Sequence, residues 1–301
     1  MGETTTKVRY LTLHITQELA GTEVNTLLRR TLGLSGTVLR RVKWLADGIT
    51  LDGARVHVRC RVAARQVLSV RLSDPEGTPQ PVPSPGPLDI LYEDADMVVV
   101  NKAAGVLVHP SHGHYADTVG NFLMAHYREN REASGFHPVH RLDKGTTGLL
   151  VAAKHPYGQE RLKHQLHTGA FRRVYLAVCD GVPRPPEGVI DAPIGRVPGS
   201  LMARRVDPEG QSARTHYRVI RAAGERALVE LELDTGRTHQ IRVHLAHMGC
   251  PLTGDFLYGQ EAPGAISRPA LHSARLSLTH PVTGERLEFT CPLPGDMKHL
   301  L

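Results

Sequence analysis

The chain has 301 residues, 41% hydrophobic and 22% charged, with a formal net charge of +6. This composition excludes disordered and fibrous classes and supplies apolar material for one large domain or two. No apolar run approaches the ~18 residues of a transmembrane helix, residues 1–7 lack the apolar core of a secretory signal, and a loose myristoylation pattern at Gly2 and Thr6 is short enough to arise by chance.

The charge is unevenly placed. Residues 1–72 hold twelve Lys or Arg against five acids, whereas the remainder is close to neutral. A basic segment suits a polyanion, because neutralising phosphates releases counterions and strengthens binding. Its plain alternative is a solvated basic face. Within the segment, Val24, Leu27, Leu28 and Leu32 fall at helical spacing, with Gly33 placed to end the helix. Ser35 is placed to cap a second helix carrying Val38, Val42 and Leu45, closed by Gly48. Residues 49–51 and 54–60, around Asp52-Gly53, predict a hairpin, and residues 66–72 a further alternating strand. Arg29, Arg30, Arg40, Arg41 and Lys43 lie on or beside the two helices and can form one basic surface.

Six prolines in residues 73–87 mark a stiff, extended linker between a module at 1–72 and a larger domain at 88–301. In the larger domain, residues 97–100, 149–153, 174–178, 215–220 and 227–233 read as strands, and 116–130 and 159–167 as helices. Regular βαβ alternation is missing, which argues against a doubly wound nucleotide fold. Neither a dinucleotide-binding nor a phosphate-loop glycine motif occurs. Cys60, Cys179, Cys250 and Cys291 stand far apart, as expected for reduced thiols in the cytoplasm. His109, His112, His114, His239, His244 and His247 lack an H-E-x-x-H pattern or a companion cysteine pair, so no metal site is expected.

The densest chemistry lies in His140-Arg141-Leu142-Asp143-Lys144-Gly145-Thr146-Thr147-Gly148, directly ahead of the apolar run 149–153. Gly145 and Gly148 permit a tight turn before a buried strand, which presents Asp143 at the rim of a sheet. An aspartate that merely caps the turn fits equally well. A second charged cluster spans residues 233–249. Thr238 is placed to cap a short helix ending at Gly249, with Ile241, Leu245 and Met248 facing the core. Arg242, one turn in, can hold a carboxylate bidentately. Tyr175, in a strand, is the third candidate, although a lone strand tyrosine is more often a core residue.

These pieces come with others in a fixed order: residues 101–110 (NKAAGVLVHP), the Asp143 motif, residues 173–177 (RVYLA), 236–244 (GRTHQIRVH) and 252–255 (LTGD). In that order they closely resemble the RluA-type RNA pseudouridine synthases, over about residues 88–295. Residues 1–72 resemble the S4 RNA-binding module that precedes the synthase domain in the ribosomal RNA branch. That likeness is carried by Leu27-Leu28, Leu32-Gly33-Leu34-Ser35, Gly48-Ile49 and Asp52-Gly53. Ala103 stands where the family usually has proline, Thr147 where serine is common and Arg173 where lysine is common; none touches the acid.

The resemblance implies an α+β fold: a synthase domain on a large mixed, mainly antiparallel sheet with flanking helices, plus a small S4-like α/β module. It implies isomerisation of uridine, in which the C1′–N1 bond breaks, the uracil rotates and C1′ rejoins through C5. Nothing is oxidised and no group comes from outside, so no cofactor is expected. Asp143 becomes the reacting carboxylate, attacking sugar or base or assisting elimination, and ionised as an aspartate ordinarily is. Arg242 is expected to pair with it. Tyr175 is expected to stack on the uracil and is a candidate for removing the C5 proton. A stacked uracil cannot turn, so the nucleotide is flipped out at roughly a few kcal/mol. Arg141 is expected to fill the gap, a role suited to a guanidinium plane, and Lys102 and Arg237 to contact phosphate.

The implied partner is RNA, ribosomal before transfer RNA, bound by a cytoplasmic monomer. Rival readings are weaker. A glycosidase needs a second carboxylate, and Asp255 comes without sugar-stacking aromatics. A kinase loop has no Leu142 insertion and accompanies a glycine-rich loop. A catalytically silent RNA-binding assembly factor leaves the Asp143, Tyr175 and Arg242 set unexplained.

Overall fold

The computed structural model describes residues 6–301, and the pattern at Gly2 lies outside them. Four strands, β1 (Tyr10–His14), β2 (Ile49–Leu51), β3 (Ala54–Arg55) and β4 (Val67–Arg71), form a sheet in the order β1-β4-β2-β3. Two helical segments share its core: α1 (Val24–Thr26), which runs on as a π turn over Leu27–Thr31, and α2 (Gly36–Val42). Leu27, Leu28, Val38 and Val42 pack there with Ile49, Leu68 and Val70. Ser35 caps α2 by accepting from the Val38 N–H at 3.2 Å. Asp52 and Gly53, both at positive φ, turn β2 into β3. The hairpin's second arm stops at Arg55 and does not reach Cys60. Strand β1 lies outside every expected element, because its alternation rests on Leu11 and Leu13 alone.

The larger sheet has ten strands. It is built from β5 (Ile90–Glu93), β6 (Met97–Lys102), β7 (His137–Pro138), β8 (Thr147–Ala153), β9 (Arg172–Asp180), β10 (Glu187–Asp191), β13 (Arg214–Ala223), β14 (Arg226–Leu233), β15 (Leu271–Thr279) and β16 (Arg286–Thr290). Between β10 and β13, β11 (Ile194–Arg196) and β12 (Arg204–Val206) form a separate two-stranded ribbon. The main order is β10-β13-β14-β9-β15-β8-β6-β5, with β16 on β15 and β7 on β8. All pairings are antiparallel except β8 with β15. Helices α3 (Val119–Glu129), α4 (Pro156–Thr168), α5 (Gln240–His247) and α6 (Gly295–Lys298) complete the mixed α+β architecture expected from the sequence. No helix among the described residues is long and apolar enough to cross a membrane.

Residues 73–87 contain no regular element, as their prolines dictate, yet they are not a free spacer. Asn121 donates from Nδ2 to the Val82 carbonyl at 2.8 Å. A Cβ on Gly86 would come within 2.2 Å of the Phe122 ring. The segment is thus laid along α3. The two sheets are also joined directly: Arg9 forms a two-pronged ion pair with buried Asp96 at 2.7 and 2.9 Å, and the Tyr157 hydroxyl of α4 donates to the Leu32 carbonyl at 2.8 Å.

Strand β8 is buried from Gly148 to Ala153, which explains its unbroken apolar run. Gly148 has φ +101°, and a Cβ there would lie 2.3 Å from the Ser273 carbonyl oxygen of β15. Glycine alone permits that approach. Gly148→Ala is expected to cost about 3 kcal/mol, since it adds a backbone clash to an unfavourable φ. Urea unfolding checks this, and an unchanged midpoint would show that β8 and β15 can part freely.

Candidate active site

Asp143 stands in the turn between β7 and β8, where the Thr146 N–H donates to the Asp143 carbonyl at 3.1 Å. Three donors brace the same turn. Lys102 Nζ and the Gly105 N–H reach the Lys144 carbonyl at 3.2 and 2.9 Å, and Arg268 Nη1 reaches the Gly145 carbonyl at 3.3 Å. Lys102 spends its remaining donors on the Ala103 and Val106 carbonyls at 2.8 and 2.9 Å and is 2% exposed. Burial pulls its ammonium down to about 7, against the attraction of Asp143. The expectation that Lys102 contacts phosphate is therefore corrected: it ties the 102–106 turn to the Asp143 turn and has no free face for RNA.

Arg141, Asp143, Tyr175, Arg237, His239 and Arg242 line one cleft of about 290 Å³. That is the lower end of the ~300–1,000 Å³ range of small-ligand sites, room for a group of nucleoside size. Arg141 and Arg237 are exposed at its rim, while Tyr175, on β9, is 4% exposed. Burial raises the Tyr175 phenol above its ordinary value; Arg173 opposes the shift and Asp143 adds to it. Burial thus works against ionising the phenol, and the side chain lines the cleft.

Arg242 approaches Asp143 Oδ2 with Nη1 at 3.6 Å. Its bidentate bond goes elsewhere: Nε and Nη2 each donate to Asp255 at 2.7 Å. Asp255 is fully buried and also accepts from the Leu257 N–H at 3.1 Å. The expected pairing of Arg242 with Asp143 is present as a longer ion pair, and Asp255 is the carboxylate that fixes the arginine. Burial opposes the Arg242 charge, but the hydrogen bonds and charge of Asp255 outweigh it and raise its pKa.

Helix α5 does not start as expected. Thr238 is not its cap; His239 takes that position in the left-handed conformation, φ 58°. No side chain caps the helix; the Gln240 side chain instead ties down the loop ahead of it, accepting from the Arg237 N–H at 2.9 Å and from Thr235 Oγ1 at 2.8 Å. His239 then faces Asp143 Oδ2 with Nε2 at 3.8 Å. His140 is a packing residue: its ring meets Phe171, and burial followed by the charge of Arg173 pulls it down to about 3. Arg173 itself lies buried in the cleft wall with Nε unpaired.

Sequence reasoning weighed Asp255 only as a glycosidase carboxylate and His239 only as a metal ligand, and gave Tyr258 and Arg173 no role. Asp255 closes one of the ordered motifs, and that position was the available signal. The histidines weighed as metal ligands do not gather. Among the described residues the trio that does is Asp94, Asp96 and His280. There Asp96 already holds Arg9 and His155, and Asp94 accepts from Tyr92.

Comparison with known proteins gives the family. The family model described as RNA pseudouridylate synthase matches residues 96–247. The uncharacterized RNA pseudouridine synthase YjbO of Bacillus subtilis is 39% identical over 270 residues, covering 90% of this chain and 95% of that protein. Ribosomal large subunit pseudouridine synthase D of Nitrosomonas europaea is 39% identical over 261 residues, 84% of this chain and 76% of that one. The structure of human RNA pseudouridylate synthase domain containing 4 superposes with a TM-score of 0.57 at 28% identity, over 70% of this chain and 90% of that one. The chain belongs to the RNA pseudouridylate synthase family and is a pseudouridine synthase of the RluA type.

Proposed function

We propose that the chain isomerises uridine in large-subunit ribosomal RNA, with Asp143 as the reacting carboxylate. The observation that carries the catalytic part is the convergence of Asp143, Tyr175 and Arg242 on one nucleoside-sized cleft. The target nucleotide leaves the stack and enters the cleft, the exposed Arg141 fills its place, and the Tyr175 ring flanks the uracil. Arg242, held by Asp255, keeps a positive charge beside the carboxylate throughout. Arg237 at the rim suits a phosphate, as does Arg173 within, whose Nε has no partner. The C1′–N1 bond breaks, the base turns, and C5 bonds to C1′. C5 loses one proton and N1 gains one, so the reaction balances without a cofactor.

The ribosomal target is supported by relatives named for that substrate and by the basic residues 1–72, which we read as an S4-like RNA-binding module. Arg29, Arg30 and Arg40 are exposed. A Cβ on Gly36 would lie 3.1 Å from Nη1 of Arg29 and 3.4 Å from that of Arg40, so two like charges crowd together. An anion between them relieves the repulsion. Arg41 is instead paired with Asp74 at 3.1 Å, and Lys43 lies 4.9 Å over the exposed Trp44 ring. Replacing Arg29 and Arg40 together by alanine is expected to weaken binding to large-subunit RNA and to reduce its logarithmic salt slope by about 1–2. Titration at several salt concentrations measures this, and an unchanged slope would remove the module from the RNA interface.

The four free cysteines fit a reducing compartment, and we place the protein in the cytoplasm as a monomer. Mapping pseudouridines in a strain lacking the gene tests the target. Loss confined to large-subunit RNA is expected; loss confined to transfer RNA would show the sister specificity.

A further inference from the structure

One contact chain in the cleft has no part in the scheme above. It begins at the Arg204 N–H of β12, which donates to the Tyr258 hydroxyl at 2.8 Å. That hydroxyl lies 2.8 Å from His239 Nδ1, the one acceptor near its proton among the described residues. Donation of the Tyr258 proton to Nδ1, its nearest acceptor, places the hydrogen of a neutral imidazole on Nε2. Nε2 is the atom that faces Asp143 Oδ2 at 3.8 Å. The opposite tautomer would aim a lone pair at a carboxylate. The Tyr258 ring is itself held, with Arg242 at 5.0 Å over its face. His239 keeps a left-handed backbone, φ 58°, uncommon for a non-glycine residue and the mark of a site that fixes its geometry. Arg242 Nη1 approaches the same Asp143 oxygen, Oδ2, at 3.6 Å.

We propose that His239 is a positioning residue whose Nε2–H, set in that tautomer by Tyr258, points at Oδ2 of Asp143 beside Arg242, closes to a hydrogen bond when the substrate is bound, and leaves Oδ1 as the reacting atom. This rests on the reading of Asp143 as the reacting carboxylate. The groups facing the imidazole are Asp143, Asp255, Arg242, Arg204 and Tyr258; burial lowers its pKa, Asp143 opposes that and Arg242 reinforces it. A neutral donor orients the carboxylate without neutralising it.

Two measurements on the full chain test this. Nitrogen NMR of labelled histidine is expected to show His239 with a bare Nδ1 and a protonated Nε2, assigned by the signal's loss in His239→Gly. In single turnover on large-subunit RNA, His239→Gly, which suits the backbone angle, is expected to slow isomerisation about tenfold to a hundredfold. RNA affinity should change by less than about twofold, as for a group acting after binding. His239→Gln, which keeps an N–H at similar reach, should restore most of the rate. A protonated Nδ1, or a His239→Gly rate equal to that of the unaltered protein, would overturn the proposal. An Asp143→Asn chain as fast as the unaltered protein would instead overturn the reading beneath it and leave the tautomer result standing.

Discussion

Asp143→Asn is expected to abolish pseudouridine formation while leaving the fold and RNA binding in place. The two side chains have nearly the same shape, and the turn that presents Asp143 is built from backbone carbonyls held by Thr146, Lys102, Gly105 and Arg268. None of those bonds uses the Asp143 carboxylate. The nearest nitrogen donors to it, Arg242 Nη1 at 3.6 Å and His239 Nε2 at 3.8 Å, are beyond close hydrogen-bonding range, so little stability depends on its charge. An amide cannot attack a sugar or a base, or assist elimination as an anion. A rate loss of at least about 10⁴-fold follows, the scale seen when an enzyme loses its nucleophile. Nucleoside analysis of RNA digested after single turnover reads the rate, and filter binding reads the affinity. A variant retaining a tenth of the rate would place the chemistry elsewhere.

The second large effect concerns a residue that touches no substrate. Asp255→Asn is expected to cost about 3–5 kcal/mol of stability and to lower activity as well. Breaking one side of a buried pair leaves an uncompensated charge in a low-dielectric site. Here the stranded group is Arg242, 5% exposed, both of whose bonds to Asp255 are 2.7 Å long. Asp143 is then the nearest remaining anion, so the arginine swings toward it and binds the carboxylate that should react. Adding Arg242→Met to Asp255→Asn removes the stranded charge and should recover much of the stability but none of the activity. Denaturant midpoints and turnover rates on the two variants separate these effects. If Asp255→Asn is within about 0.5 kcal/mol of the unaltered protein, the ordinary range of surface changes, Asp255 is not the group that fixes Arg242.

The parts of this site that were legible in the sequence are those with a local signature. The run 149–153 is a buried strand and Ser35 caps a helix, each for the reason its residue type suggests, whereas Gly148, expected in the turn, lies within the strand and is needed for a close approach to β15. The Asp143, Tyr175 and Arg242 set was legible because its motifs stand in a family's order. Long-range pairing was not. Arg242 and Asp255 meet across a turn after α5, a separation with no periodic signature. Lys102 ends an exposed-looking polar step after four valine and methionine residues, and nothing local reveals three carbonyls converging on its ammonium. His239 occupies the cap beside a threonine of better capping type, while Gln240 holds the preceding loop through Thr235 and the Arg237 N–H, a contact with no signature in the sequence. Strand β15 escaped notice because His272, Ser273 and Arg275 interrupt its alternation. It is nevertheless central, between β8 and β9, and His272 is buried with hydrogen bonds to Thr147 and the Cys291 carbonyl.

The most direct test of the central claim is tritium release from RNA labelled at C5 of uridine, because joining C5 to C1′ must expel that hydrogen. The full chain, incubated with large-subunit RNA and chelator but no cofactor, is expected to release one tritium for each pseudouridine formed, and Asp143→Asn none. Absence of release from the RNA of a strain lacking the gene, or equal release by the two proteins, would contradict the account.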